Sequence, residues 1–117
     1  MKSQILQTLA ALALIATSAT AQDNPMENHT ASYIAMPAAE GQSEAFAEFL
    51  AGAAPIVRDT EPGTVLWFAL QANDTLAIFD IFADEEARNA HFSGAVAAAL
   101  NQNSDTLVDG GWDEGVV

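Results

Sequence analysis

The sequence predicts a single α+β domain in which an antiparallel sheet is covered by helices on one face. Three observations carry that prediction. Two β-rich runs, "TVLWFALQ" and "TLAIFDIF", are separated only by Ala72-Asn73-Asp74, a connection short enough to require a hairpin. Segments before and after this pair repeat their apolar residues at helical spacing. With 117 residues, 50% of them hydrophobic, the chain is long enough for one buried core and too short for two.

Taken in order, "MKSQILQTLAALALIATSATAQDN" has Lys2 near its start, an apolar run from about Ile5 to Ile15, and small residues at Ala19 and Ala21 before Gln22. That is the layout of a secretory signal peptide, residues 1–21, cleaved after Ala21. Its apolar run is shorter than the roughly 20 residues that a membrane span requires. A periplasmic or secreted protein without a stable membrane anchor is therefore expected. Residues 22–29 are polar, with turn-favouring Asn24-Pro25 and Asn28-His29, and read as a flexible leader before the domain of residues 30–117.

"ASYIAMP" reads as a first strand ended by Pro37. In "AEGQSEAFAEFLAGAAPIVRDT", Phe46, Phe49, Leu50, Ala53 and Val57 form one apolar helical stripe, with Ser43 as its N-cap and Pro55 expected to kink or shorten its end. Glu61-Pro62-Gly63 is a turn, since proline presets φ and glycine tolerates the positive φ that follows. The two hairpin strands come next, and both are apolar on both faces. Leu66, Phe68 and Leu70 alternate with Val65, Trp67 and Ala69, as Leu76 and Ile78 do with Ala77, Phe79 and Ile81. One helical layer covers one face only, so the other asks for a partner surface, most simply a second copy of the chain. In "DEEARNAHFSG", Asp84 caps a helix whose first turn holds Glu85 and Glu86. Gly94 breaks that helix, and Ser93 is expected to cap another, "GAVAAALNQN", with Val96 and Leu100 on one side. Strand, helix, strand, strand, helix, helix is most of a ferredoxin-like layout.

Composition removes several function classes. Sixteen acids stand against Lys2, Arg58 and Arg88, a formal charge of −13. After cleavage two basic residues face all sixteen acids, giving −14 on 96 residues. Almost nothing is left to neutralise phosphates, so neither nucleic acid nor an acidic membrane surface is an expected partner. Without cysteine there is no thiolate nucleophile, disulfide frame or lipoprotein anchor. No glycine-rich phosphate loop, HExxH helix or serine nucleophile elbow occurs, and no cofactor or metal is expected.

The segment from about Ala31 to Leu100 resembles the antibiotic biosynthesis monooxygenase domain family, the quinol monooxygenase-like dimeric α/β barrels. The resemblance lies in "EPGT" opening a strand, in Asp80-x-Phe82-x-Asp84, and in the helix "EEARNAHFSG", where Ala87 and His91 stand four apart before a serine. It implies a homodimer whose sheets close into a barrel, although the last strand of that barrel is at best begun in "LVDGGWDEGVV". It also implies cofactor-free oxygenation of an electron-rich aromatic, which needs an apolar pocket, a base and room for dioxygen. Asn101 stands where haem-degrading relatives carry a histidine, so haem is not expected.

Within that frame His91 is the candidate base, because an imidazole titrates near neutrality. A helix-end histidine bonded to a carbonyl or to Asp80 is its structural alternative. Trp67 and Tyr33 are candidate substrate-binding residues, as an aromatic wall and a hydroxyl donor, against plain packing roles. Asp80 shares a strand face with Ile78 and Phe82. Buried there it needs a partner, with Arg88 or a backbone donor the structural answer. Two functions follow from different classes: an exported cofactor-independent monooxygenase acting on quinols or related small aromatics, or a non-catalytic dimeric barrel that binds a small apolar ligand.

Overall fold

The computed structural model describes residues 29–112. The signal-peptide segment, most of the leader and the last five residues lie outside them. The elements run β1 (Thr30–Pro37), α1 (Ser43–Thr60), β2 (Thr64–Ala72), β3 (Thr75–Phe82), α2 (Glu85–Phe92) and α3 (Ala95–Leu107). This is the expected α+β order. The strands form one antiparallel sheet, β1-β3-β2, with β3 central. The hairpin turns through Asn73, whose φ of 53° lies in the left-handed region that asparagine tolerates.

Register decides what each face carries. Ser32, Ile34 and Met36 of β1 lie opposite Asp80, Ile78 and Leu76 of β3, and Trp67 of β2 also lies opposite Asp80. These residues face the helices. The core there is built from Ile34, Met36, Phe46, Leu50, Leu76, Ile78, Leu100 and Leu107, and each large apolar side chain contributes about 1.5–3 kcal/mol by leaving water. The opposite face carries Tyr33, Phe79 and Phe68 in one row. Tyr33, Leu66, Phe68 and Leu70 are 44–51% exposed there. The register puts Trp67 and Phe79 on opposite faces. An irregularity between Thr64 and Leu66 lets Val65 bulge at the start of β2.

Three local expectations are corrected. Pro55 lies inside α1 without shortening it, and the helix continues for five residues beyond it. Ser43 is the first residue of α1 rather than its cap, and its hydroxyl donates to Asp74 Oδ1 at 2.8 Å, tying the helix start to the hairpin turn. Ser93 does not cap α3. Its hydroxyl instead donates to the carbonyl of Asn89 at 2.6 Å, and Gly94 occupies the cap position. Asp84 does cap α2, accepting from the Ala87 amide at 2.8 Å. Val108 forms a single antiparallel bridge with Ala38 beside β1, after which Gly110 and Gly111, with φ of 81° and 77°, turn the chain away. A fourth strand is thus begun and stopped by two left-handed glycines. Among the described residues no helix is long and apolar enough to cross a membrane.

Candidate functional site

The site forms where the turn before β2 docks on α2 and the α2–α3 junction. Two glycines permit the approach. A Cβ on Gly63 would meet the Ala87 Cβ at 2.5 Å, and one on Gly94 would meet Glu61 Oε1 at 2.7 Å. The turn is held by Thr64 N donating to the Glu61 carbonyl at 3.0 Å and by Ala83 N donating to the Gly63 carbonyl at 2.9 Å. Glu61, read from the sequence only as a turn residue, is thereby delivered to His91.

His91 is clamped between two carboxylates. Its Nδ1 lies 2.7 Å from Glu61 Oε2 and its Nε2 lies 3.4 Å from Asp80 Oδ2. The side chains of His91, Glu61 and Asp80 are 6%, 13% and 0% exposed. Behind them the Ser32 hydroxyl donates to Asp80 Oδ1, and in front the Thr64 hydroxyl donates to Glu61 Oε2 at 3.2 Å. The rings of Phe82 and Phe92 lie 5.2 and 5.4 Å from the imidazole and close off its sides. Burial pushes the Asp80 carboxyl above the usual carboxylate range, while the Ser32 hydroxyl and then His91 pull it back.

Nδ1 of His91 is hydrogen-bonded to Glu61 Oε2, whereas its Nε2 stands 3.4 Å from Asp80 Oδ2, a buried oxygen without a hydrogen-bond partner among the described residues. Burial disfavours a charge on Asp80. The row Ser32–Asp80–His91–Glu61 runs from a dry interior to a surface. That surface is a cleft of about 530 Å³ between the Pro62-Gly63 turn and the small residues Ala87, Ala90 and Ala95, with Glu61 and His91 on its wall.

The four residues singled out from the sequence are not all brought together. Asp80 and His91 meet, as the strand alternation allowed. Trp67 lies beside Asp80 on the same face, half-buried, and its indole N–H is buried with no hydrogen-bond partner among the described residues. It lines a separate hollow of about 460 Å³ between α1 and β2 rather than the His91 cleft. Tyr33 sits on the opposite face of the sheet from His91 and 46% exposed. Arg88 is not the partner of Asp80. It pairs with Glu85 at 3.3 Å and lies over the Phe92 ring, 4.9 Å from its centre. Ser32 and Glu61 are the residues the sequence reading missed, and the only local signal for them was a serine on a strand and a glutamate opening a turn. Among the described residues no group of three or more His, Asp or Glu is placed to hold a metal ion.

Comparison with known proteins gives a consistent picture of the fold. No protein-family model matches the chain, and no curated protein sequence does. Among solved structures, a protein of unknown function from Nitrosomonas europaea is 45% identical, with a TM-score of 0.64 over 68% of this chain and 77% of that one. A candidate antibiotic biosynthesis monooxygenase from Bacteroides thetaiotaomicron is 19% identical, with a TM-score of 0.63 over 71% of this chain and 82% of its own. Another from Deinococcus radiodurans is 17% identical, with a TM-score of 0.58 over 68% and 82%. At those two identities the likeness is one of fold.

Proposed function

This chain belongs to the family of the Nitrosomonas europaea protein and carries an antibiotic biosynthesis monooxygenase-like domain, and from that premise we propose that it is a cofactor-independent monooxygenase of quinols or related electron-rich aromatics. The observation that supports this reading is the buried Asp80–His91–Glu61 chain, which ends at a cleft large enough for a single aromatic ring. A hydroquinone seated there loses a hydroxyl proton to the chain, and the resulting anion is electron-rich enough to reduce dioxygen directly. One oxygen atom enters the ring and the other leaves as water. The ring ends as a hydroxyquinone, having supplied all the electrons, and the proton taken at the start returns to the departing oxygen. The protein's share is to position the ring, hold the proton and exclude bulk water.

Oxygen uptake with a panel of hydroquinones tests this, with labelled dioxygen placing one atom of label in the quinone product. A protein that consumes no oxygen with any of them would remove the activity. The second reading, a non-catalytic barrel that binds a small apolar ligand, is favoured by the apolar hollow at Trp67 and would then stand.

Two companion proposals belong to this reading. The exposed row of Tyr33, Leu66, Phe68 and Leu70 is covered by a second copy of the chain, giving a homodimer, since exposed apolar surface of this kind marks an interface. The chain is exported, with cleavage between Ala21 and Gln22. Sequencing the N-terminus of protein from the periplasmic fraction checks the cleavage, and an intact Met1 on cytoplasmic protein would sink it.

A further inference from the structure

We infer that Glu61, rather than His91, is the group that touches the substrate and takes its hydroxyl proton, and that the acidic mouth around it admits uncharged hydroxyaromatics while rejecting carboxylated ones. This deepens the monooxygenase reading and rests on it for the turnover step.

Geometry carries the assignment. Nδ1 of His91 is hydrogen-bonded to Glu61 and its Nε2 is directed at the fully buried Asp80, 3.4 Å away, so neither nitrogen is presented to a ligand in the cleft. Glu61 has one. Its Oε2 is engaged by His91 Nδ1 and the Thr64 hydroxyl, whereas Oε1 accepts no hydrogen bond among the described residues and stands over Gly94, where a Cβ would come within 2.7 Å. Both Glu61 and Gly94 line the cleft. A neutral hydroxyl entering the cleft therefore finds one acceptor with an open lone pair and net negative charge. Proton transfer breaks the substrate O–H bond, forms an O–H bond at Glu61 Oε1, and leaves the electron pair on the substrate oxygen. His91 and Asp80 are positioning residues, holding the glutamate's other oxygen and keeping the displaced charge balanced behind it.

The groups facing Glu61 also set the charge of what can enter. From α2 come His91 and Glu86, from its cap comes Asp84, from β2 comes the Thr64 hydroxyl, and from β3 comes Asp80 behind the imidazole. Asp84 and Glu86 share the cleft with Glu61, and no lysine or arginine lines it. A substrate carboxylate would meet only like charge. A neutral hydroquinone meets none.

Glu61→Gln keeps the shape and removes the base, so with hydroquinone it lowers kcat about 10²-fold or more and changes KM little. A hydroquinone bearing a carboxylate shows a KM at least about tenfold above that of hydroquinone in the parent, and equal KM values would overturn the charge selection. Binding of phenol and of anisole, which lacks the hydroxyl, supplies a readout that needs no oxidation. The parent prefers phenol by about tenfold or more, the usual strength of a hydrogen bond to a charged acceptor. Glu61→Gln, whose neutral amide oxygen is the weaker acceptor, reduces that preference. A parent that binds phenol and anisole alike, or a Glu61→Gln protein that turns over at the parent rate, overturns the role of Glu61. If the parent consumes no oxygen yet shows the Glu61-dependent preference for phenol, the oxidation reading fails and the assignment of Glu61 stands.

Discussion

The two faces of the sheet invert the ordinary expectation for a small protein. The face covered by helices carries a carboxylate with no exposure, a serine hydroxyl and a clamped histidine, while the face without helices carries Tyr33, Leu66, Phe68 and Leu70, nearly half exposed each. Burying a polar group is costly unless it is partnered, and exposing large apolar groups together is unfavourable unless something covers them. Each face thus departs from the stability optimum in its own direction. The covered face holds a few polar groups dry at one end of an apolar core, and the bare one leaves large apolar side chains exposed.

The largest expected effect tests the covered face as a core. Phe46 is fully buried in α1, away from the histidine, and Phe46→Ala lowers stability by about 3–5 kcal/mol in denaturant unfolding. A loss below about 1 kcal/mol would mean that α1 is not docked as described. Next comes the polar end of the same face. His91→Ala reduces quinol turnover by about 10²-fold, equivalent to about 2.7 kcal/mol of barrier. It also leaves Asp80 facing a void at Oδ2, so the melting temperature falls as well. Parent-like turnover in that variant would make the histidine purely structural.

Asp80 sharpens the contrast through pH. Its folded-state pKa is raised by burial, so the folded protein keeps a proton that the unfolded chain has already released. The stability it contributes is full below the ordinary carboxylate range and is lost as pH rises through the raised value, at about 1.4 kcal/mol per pH unit of separation. Melting curves of parent and Asp80→Asn from about pH 4 to about pH 8 isolate this group from the general repulsion of the acidic surface. The parent loses ground to the asparagine variant as pH increases, and parallel curves would show that Asp80 is not desolvated. The smallest change in folding belongs to the bare face. Phe68→Glu leaves the stability of the subunit within about 0.5 kcal/mol but converts a dimer at micromolar concentration to a monomer in sedimentation. A parent that is itself monomeric there removes the second copy as the covering surface.

Much of the covered face was legible before folding was known. Asp80 shares its strand face with Ile78 and Phe82 by simple alternation, and Asp84, Ala87 and His91 follow from a capped helix of 3.6-residue period. The site itself was less legible. Glu61 is 30 residues from His91 and Ser32 is 48 from Asp80, separations at which no periodicity operates. Arg88 or a backbone donor was the expected partner for Asp80, and the backbone of Ser32 is one of the groups that bond it. Helix geometry places Arg88 three residues from Glu85 and above the Phe92 ring. Tyr33 was a candidate substrate-binding residue as a hydroxyl donor on the first strand, and only the pairing of Ser32 with Asp80 shows that its neighbour Tyr33 must face the other way.

The amino-acid sequence alone determined the order of the elements, the two-sided apolar character of β2 and β3, the turn at Pro62-Gly63, the cap at Asp84 and the strand face of Asp80. Each depends on residues within a few positions of one another, where backbone sterics and side-chain period act directly. The tertiary structure alone decided that Glu61 meets His91, that Ser32 meets Asp80, and that Trp67 and Tyr33 lie in different places from the histidine. Those contacts depend on strand register and on the close approach of a turn to a helix at Gly63 and Gly94. Such approaches are set by the packing of the whole core, because only a close-packed interior holds distant segments within hydrogen-bonding range.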